Sequence, residues 1–182
     1  MLIGANIAVY LIEALSVSSL TRFVYALGLV PAILSAERSY TLLTYMYLHA
    51  DPLHLFTNMI VLWMFGVECE REYGAARFLL LYHASGVSGG LLHTLIFPQS
   101  RVAVVGASGA VFGLVAAFAV LFPTRPIAFL IGLLPIPLPA AVWGALYFLL
   151  ELAYGLSGVG YVAHMAHVGG FIVGALFALP RR

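Results

Sequence analysis

A nucleophile, three imidazoles and an amide occur in this chain where an apolar sequence has little use for them. Ser108 stands in Gly106-Ala107-Ser108-Gly109-Ala110, between side chains too small to cover it. His164 and His167 lie three apart in another apolar stretch, and His54 and Asn58 four apart in a third. A serine beside a neutral imidazole is a nucleophile with its general base, able to attack an acyl carbon. A serine alone in an apolar helix ordinarily bonds the carbonyl one turn back, or joins two helices. The chemistry therefore depends on whether the chain brings these groups together.

The elements that must do so are membrane spans. Of the 182 residues, 63% are hydrophobic and 8% charged, with a mean hydropathy of +1.07; soluble domains carry about 25% charged residues. This composition predicts an all-α integral membrane protein, a polytopic bundle of six transmembrane helices forming one domain over 1–182. At about 20 residues per crossing, the spans fall near 2–19, 54–72, 77–97, 102–122, 139–154 and 161–179. Residues 20–53 then make a long, structured first external loop. Residues 127–138 carry Pro135 and Pro137, with Pro139 following at the same spacing, so they are predicted as an interfacial loop rather than a helix. The glycine-rich 155–160 links the last two spans.

Six spans put both termini on one side. Arg71, Arg77, Arg125, Arg181 and Arg182 fall on that side, and Arg22, Arg38 and Arg101 on the other, which predicts cytoplasmic termini. Met1 runs straight into an apolar segment with no basic lead, so no cleavable signal is expected. A net charge of +1 gives no footprint for nucleic acid. The single cysteine, Cys69, excludes an internal disulfide and a cysteine metal cage.

With this topology the second, fourth and sixth spans all run inward. His54 and Asn58 open the second. Ser108 and His167 each lie six residues into their spans, roughly 9 Å along the helix. Intramembrane polar groups that converge in depth point to a site on the extracellular side. Asp51 is the sole aspartate and lies in the first loop, while Glu13 and Glu151 sit elsewhere in their spans. No carboxylate is thus placed to orient the imidazole, leaving a Ser108–His167 dyad; Phe112, one turn after Ser108, is placed to stack on the ring. Backbone N–H groups at Ser108, together with Asn58 and His54, would meet an oxyanion. Gly109 and Gly113 on one helix, and Gly170 and Gly174 on another, form small faces for close packing.

Other chemistries fit less of the chain. Four histidines, His49, His54, His164 and His167, allow a zinc site, but the His-Glu-x-x-His pattern is absent and Ser108 would be unexplained. No metal or cofactor is expected. One aspartate excludes an aspartyl protease. A transporter would use the same cluster with broken helices or repeated halves, neither of which the sequence displays. An inactive protein that only binds membrane proteins would need neither Ser108 nor His167, and both are present. A non-proteolytic polytopic protein of either kind is the alternative reading.

These residues resemble the rhomboid intramembrane serine proteases in their basic six-span prokaryotic form. The motifs are Thr44-Tyr-Met-Tyr-Leu-His49 leading into His54-Leu-Phe-Thr-Asn58-Met; Glu70-x-x-x-Gly74; Gly106-Ala-Ser-Gly-Ala110; and Ala166-His167-Val-Gly-Gly170-x-x-x-Gly174. The resemblance implies Ser108 as nucleophile and His167 as base, with Asn58, His54 and the Ser108 backbone stabilising the oxyanion. It implies an endopeptidase cutting single-span or polytopic membrane proteins in or beside their transmembrane helices, without a cofactor. It also implies a multi-pass cell-membrane protein whose active site opens outward, with the fifth span and the loop after it, about residues 155–163, gating access. Many members carry Trp-Arg in the first loop where this chain has Tyr40-Thr41, a departure that concerns the loop's architecture rather than the chemistry.

Overall fold

The computed structural model describes residues 1–15, 20–131, 134–158 and 162–179. The expected end of the first span, part of the 155–163 connection, and Arg181 and Arg182 lie outside them. The chain is mainly helical: α1 Leu2–Leu15, α2 Leu20–Leu27, α3 Thr41–Thr44, α4 Pro52–Ile96, α5 Ser108–Leu121, α6 Ala140–Ser157 and α7 His164–Ala178. Helix α4 is two limbs broken at Gly74, whose φ of 74° is left-handed and suits a residue without Cβ. Phe78 packs on Gly66, whereas twelve residues of straight helix would part them by about 18 Å. The limbs therefore fold back on each other. By length and apolarity α4 and α6 suit a membrane crossing, and α1, α5 and α7 are shorter apolar helices. Leu11, Ile12, Phe56, Trp63, Leu95 and Leu149 are among many large apolar side chains left exposed, the exterior expected of a membrane protein.

The centre is α4, α5 and α7. A Cβ on Gly170 would enter the carbonyl of Gly109, and one on Gly174 would enter the carbonyl of Gly113. Backbone thus meets backbone between α5 and α7. Gly89 on the second limb of α4 meets the Ala166 carbonyl in the same way. Helix–helix contact inside lipid relies on such van der Waals approach, because lipid tails are as apolar as leucine. Helix α6 lies at the edge, packing Gly144 near Ala119 and Phe171, and Gly155 against Met165.

The segment 28–51 is held in place by main-chain bonds. Leu29 and Val104 exchange backbone hydrogen bonds (3.1 and 2.7 Å), and Ala32 N–H donates to Ser100 O. Tyr40 Oη donates to Ala26 O at 2.9 Å, while Arg38 and Thr44 donate to Tyr25 O and Leu27 O. Thr41 is buried and donates to Arg38 O. At Tyr40-Thr41, then, a hydroxyl-to-carbonyl bond and a buried threonine stabilise the loop.

One expectation is corrected. Residues 126–139 form an antiparallel ribbon, β1 Pro126–Ile131 with β2 Leu134–Pro139, pairing Ala128 with Pro137 and Pro126 with Pro139. The alternate spacing that bars a helix suits one edge of a two-stranded ribbon. Ala140 N–H donates toward β1, to Arg125 O, so the odd positions of β2 have their backbone N side facing away. Proline loses nothing there.

Candidate active site

The site is built where α5 begins. Gly106 has φ +120°, and a Cβ there would lie 2.7–2.8 Å from Cε1 and Nε2 of His54. Its N–H donates to Tyr45 O at 2.9 Å, and Tyr45 Oη is bonded to Gly86 O at 2.6 Å. The tight turn is thereby tied to segment 28–51 and to the second limb of α4. It delivers Ser108 as the first residue of α5, where backbone N–H groups have no acceptor within the helix and the dipole favours negative charge.

Ser108 Oγ is 2.7 Å from His167 Nε2. Phe112 lies flat on the His167 ring, centroids 4.4 Å apart and planes 3° from parallel. His167 is buried, whereas Ser108 is partly exposed in a cavity of about 760 Å³ walled by Asp51, His54, Asn58, Phe112 and His164. That volume is typical of a ligand site. His93, on the second limb of α4, also reaches the cavity wall.

His54 is oriented by the start of α4. Asp51 caps the helix, its Oδ1 accepting from His54 N–H at 2.8 Å. The Ala50 N–H donates to His54 Nδ1 at 3.3 Å. That bond assigns the ring proton to Nε2, which lies beside Gly106 at the cavity wall. Asn58 Nδ2 donates to His54 O at 2.9 Å, leaving its second hydrogen for the cavity. His49 lies behind His54, ring edge to ring face at 5.2 Å.

The expectation that no carboxylate could orient the base is overturned. Glu151 Oε2 lies 2.8 Å from His167 Nδ1 and 2.7 Å from His164 Nδ1. Residue counting along the helices does not reach it: Glu151 is six residues before the end of α6 at Ser157, whereas Ser108 is the first residue of α5 and His167 the fourth of α7, not six residues into their helices as expected. Donor atoms of Glu151, His164 and His167 lie within 4.8 Å of one another, close enough to hold a metal ion. A metal there would occupy the nitrogen or oxygen atoms that now bond one another.

Residues 36–182 match the Rhomboid domain. The chain belongs to the rhomboid family. It is 36% identical over 138 residues to the yeast protein "Rhomboid protein 1, mitochondrial", covering 71% of this chain and 38% of that one. It is 33% identical over 142 residues to Arabidopsis thaliana RHOMBOID-like protein 2, covering 78% and 42%. With Bacillus subtilis Rhomboid protease GluP it shares 31% over 172 residues, 93% of this chain and 31% of that one. The chain thus spans less than half the length of these relatives. Membership makes this rhomboid a membrane protein, in keeping with its apolar helices.

Proposed function

We propose that this rhomboid is an intramembrane serine endopeptidase, a single membrane domain that hydrolyses membrane-protein substrates in or next to their transmembrane helices. The observation that carries the reading is the 2.7 Å contact between Ser108 Oγ and His167 Nε2 at the edge of a large cavity. Ser108 Oγ attacks the scissile carbonyl carbon while its proton passes to His167 Nε2. The carbonyl electron pair moves to oxygen, which meets the Ser108 backbone N–H, His54 Nε2–H and Asn58 Nδ2. As the intermediate collapses, the C–N bond breaks and His167 gives its proton to the departing amine. Water then attacks the acyl-enzyme, losing a proton to His167, and Ser108 leaves with that proton.

The bilayer arrangement that goes with this is six crossings: α1, the two limbs of α4, α5, α6 and α7. Residues 20–51 lie in the first external loop. In the cell membrane the termini are cytoplasmic and the cavity opens outward, with the connection after α6 gating access. Gly106, Gly109, Gly170 and Gly174 support the site by leaving room for His54 and for the approach of α7, and Phe112 by covering the base.

The test uses purified protein in detergent with a single-span substrate bearing small residues near its outer end. Cleavage is expected to fall below detection in both Ser108→Ala and His167→Ala, and to be unchanged by chelators. A serine-directed fluorophosphonate is expected to label Ser108. Cleavage that persists in both variants would sink the reading. Loss on chelation would favour a metal held by Glu151, His164 and His167 instead.

A further inference from the structure

We propose that Glu151 is a positioning residue for His167, making the working unit Ser108–His167–Glu151 rather than a dyad. The inference rests on the proteolytic reading and adds a third member to it. The three groups lie in a chain, with Ser108 Oγ at 2.7 Å from Nε2 and Glu151 Oε2 at 2.8 Å from Nδ1 of the same ring. They come from three helices, α5, α7 and α6.

Tautomer logic makes the third contact consequential. A carboxylate can only accept, so its bond requires the proton of neutral His167 to sit on Nδ1. Nε2 is then left with its lone pair toward Ser108 O–H, the form a general base needs. When Nε2 takes the serine proton, the ring becomes an imidazolium with a carboxylate at hydrogen-bond distance on its far side. The proton count is unchanged: one proton moves from Oγ to Nε2, and the Nδ1 proton stays on the ring.

A purely structural tie between α6 and α7 would need less. The bond from His164 Nδ1 to the same oxygen, at 2.7 Å, already joins the helices, and Tyr154 stacks on His164 with centroids 5.2 Å apart and planes at 22°. Glu151 is buried, where an ionised carboxylate is costly unless it accepts hydrogen bonds. Two N–H donors supply them, at lengths usual for charge-assisted bonds. His164 thus shares the carboxylate and holds it, while His167 uses it.

The test compares wild type with Glu151→Gln and Glu151→Asp in detergent, measuring kcat and KM against pH. It also follows the imidazole N–H protons of nitrogen-15 histidine-labelled protein by NMR. The titratable groups facing the pair are His164 on α7, Tyr147 on α6, His54 and His93 on α4, and Asp51 at the cavity wall; all are kept in every variant. Glu151→Gln keeps size and a hydrogen-bonding oxygen but not the charge. It is expected to lower kcat by on the order of 10²–10⁴-fold with KM little changed. The acid limb of its kcat profile should move about one pH unit or more downward, because the imidazolium has lost its counter-ion. The hydrogen-bonded Nδ1–H resonance of His167 should shift or vanish. Glu151→Asp, which keeps the charge, should retain the acid limb. The inference is overturned if folded Glu151→Gln leaves limb and resonance in place while cleavage still needs Ser108 and His167. Failure of the proteolytic reading looks different: wild-type cleavage survives Ser108→Ala.

Discussion

Phe112 presents its ring face to His167, the two planes 3° from parallel at 4.4 Å. Phe112 itself is held edge-on by Tyr147, at 6.1 Å and 79°. The stack fixes one face of the imidazole while Ser108 fixes its edge. A ring face also attracts a cation, so in the proposed mechanism Phe112 would favour the imidazolium formed at His167. Phe112→Ala is expected to lower kcat by roughly 2–10-fold, the equivalent of about 0.5–1.5 kcal/mol for an aromatic pair, with KM little changed. Phe112→Tyr should keep most of the rate. Equal kcat in wild type and Phe112→Ala would show that the stack plays no part in turnover.

At Gly106 two constraints coincide. Its φ of +120° is strained for any side chain, and a Cβ would press on His54 Cε1 and Nε2. Gly106→Ala must therefore move either the turn that delivers Ser108 or the His54 imidazole, the proposed oxyanion donor. Loss of one oxyanion donor costs on the order of 10²–10³ in rate, and a drop of that size is expected. Fluorophosphonate labelling of Ser108 should slow in parallel. A Gly106→Ala protein with ordinary activity would mean that neither His54 nor the turn needs its present position.

The reach of the sequence and its limits have the same physical source. Phe112 is legible against Ser108 because a four-residue step sets one face of a helix, whereas the count of six residues into each span fails, since Ser108 opens α5 and His167 is the fourth residue of α7. Gly170 and Gly174 were legible because a repeat of small residues at one helical spacing has few uses other than close packing. Glu151 is not legible as a partner of His167: the sequence ends its helix at Tyr154, whereas α6 continues to Ser157, and the contact between α6 and α7 is a tertiary one.

The ribbon at 126–139 was missed for a different reason. Proline every second residue rules out a helix by local chemistry alone. Whether the segment then pairs depends on a partner strand, which only tertiary structure supplies. The ties from Leu29 to Val104 and from Tyr45 to Gly106 are likewise backbone bonds across long separations. They leave no mark in residue type, yet they hold the turn before the nucleophile.

Close packing of α5 on α7 offers a test that leaves every polar group intact. A Cβ at Gly170 would occupy the space of the Gly109 carbonyl, which is backbone and cannot swing aside. Gly170→Ala must therefore lift α7, and His167 with it, away from α5. Overpacking of this kind costs typically about 1–3 kcal/mol, and the thermal midpoint in detergent should fall accordingly. Activity should fall further than stability, because the Ser108–His167 contact tolerates little displacement. Gly4→Ala is the control, since a Cβ there meets nothing within 4 Å. If Gly170→Ala behaves like Gly4→Ala, the helices have slack that the backbone contact does not suggest.

His49 links stability to pH. It is fully buried, neither of its ring nitrogens has a hydrogen-bond partner of good geometry, and Glu13 Oε2 accepts its backbone N–H at 3.3 Å. Burial first, then the neighbouring His54 ring, pushes its imidazole down to about 4, against smaller pulls upward from the Tyr47 main chain and then Asp51. In the unfolded chain the same group titrates near 6.5. As pH falls, the unfolded state therefore takes up this proton before the folded state does. The stability that depends on a neutral His49 is complete above about pH 6.5 and drains away toward pH 4, by up to ~3 kcal/mol. Thermal midpoints measured from neutral pH down to about pH 4.5 should fall more steeply for wild type than for His49→Gln, which cannot titrate. Parallel curves for the two proteins would show that His49 is solvated and titrates normally in the folded state.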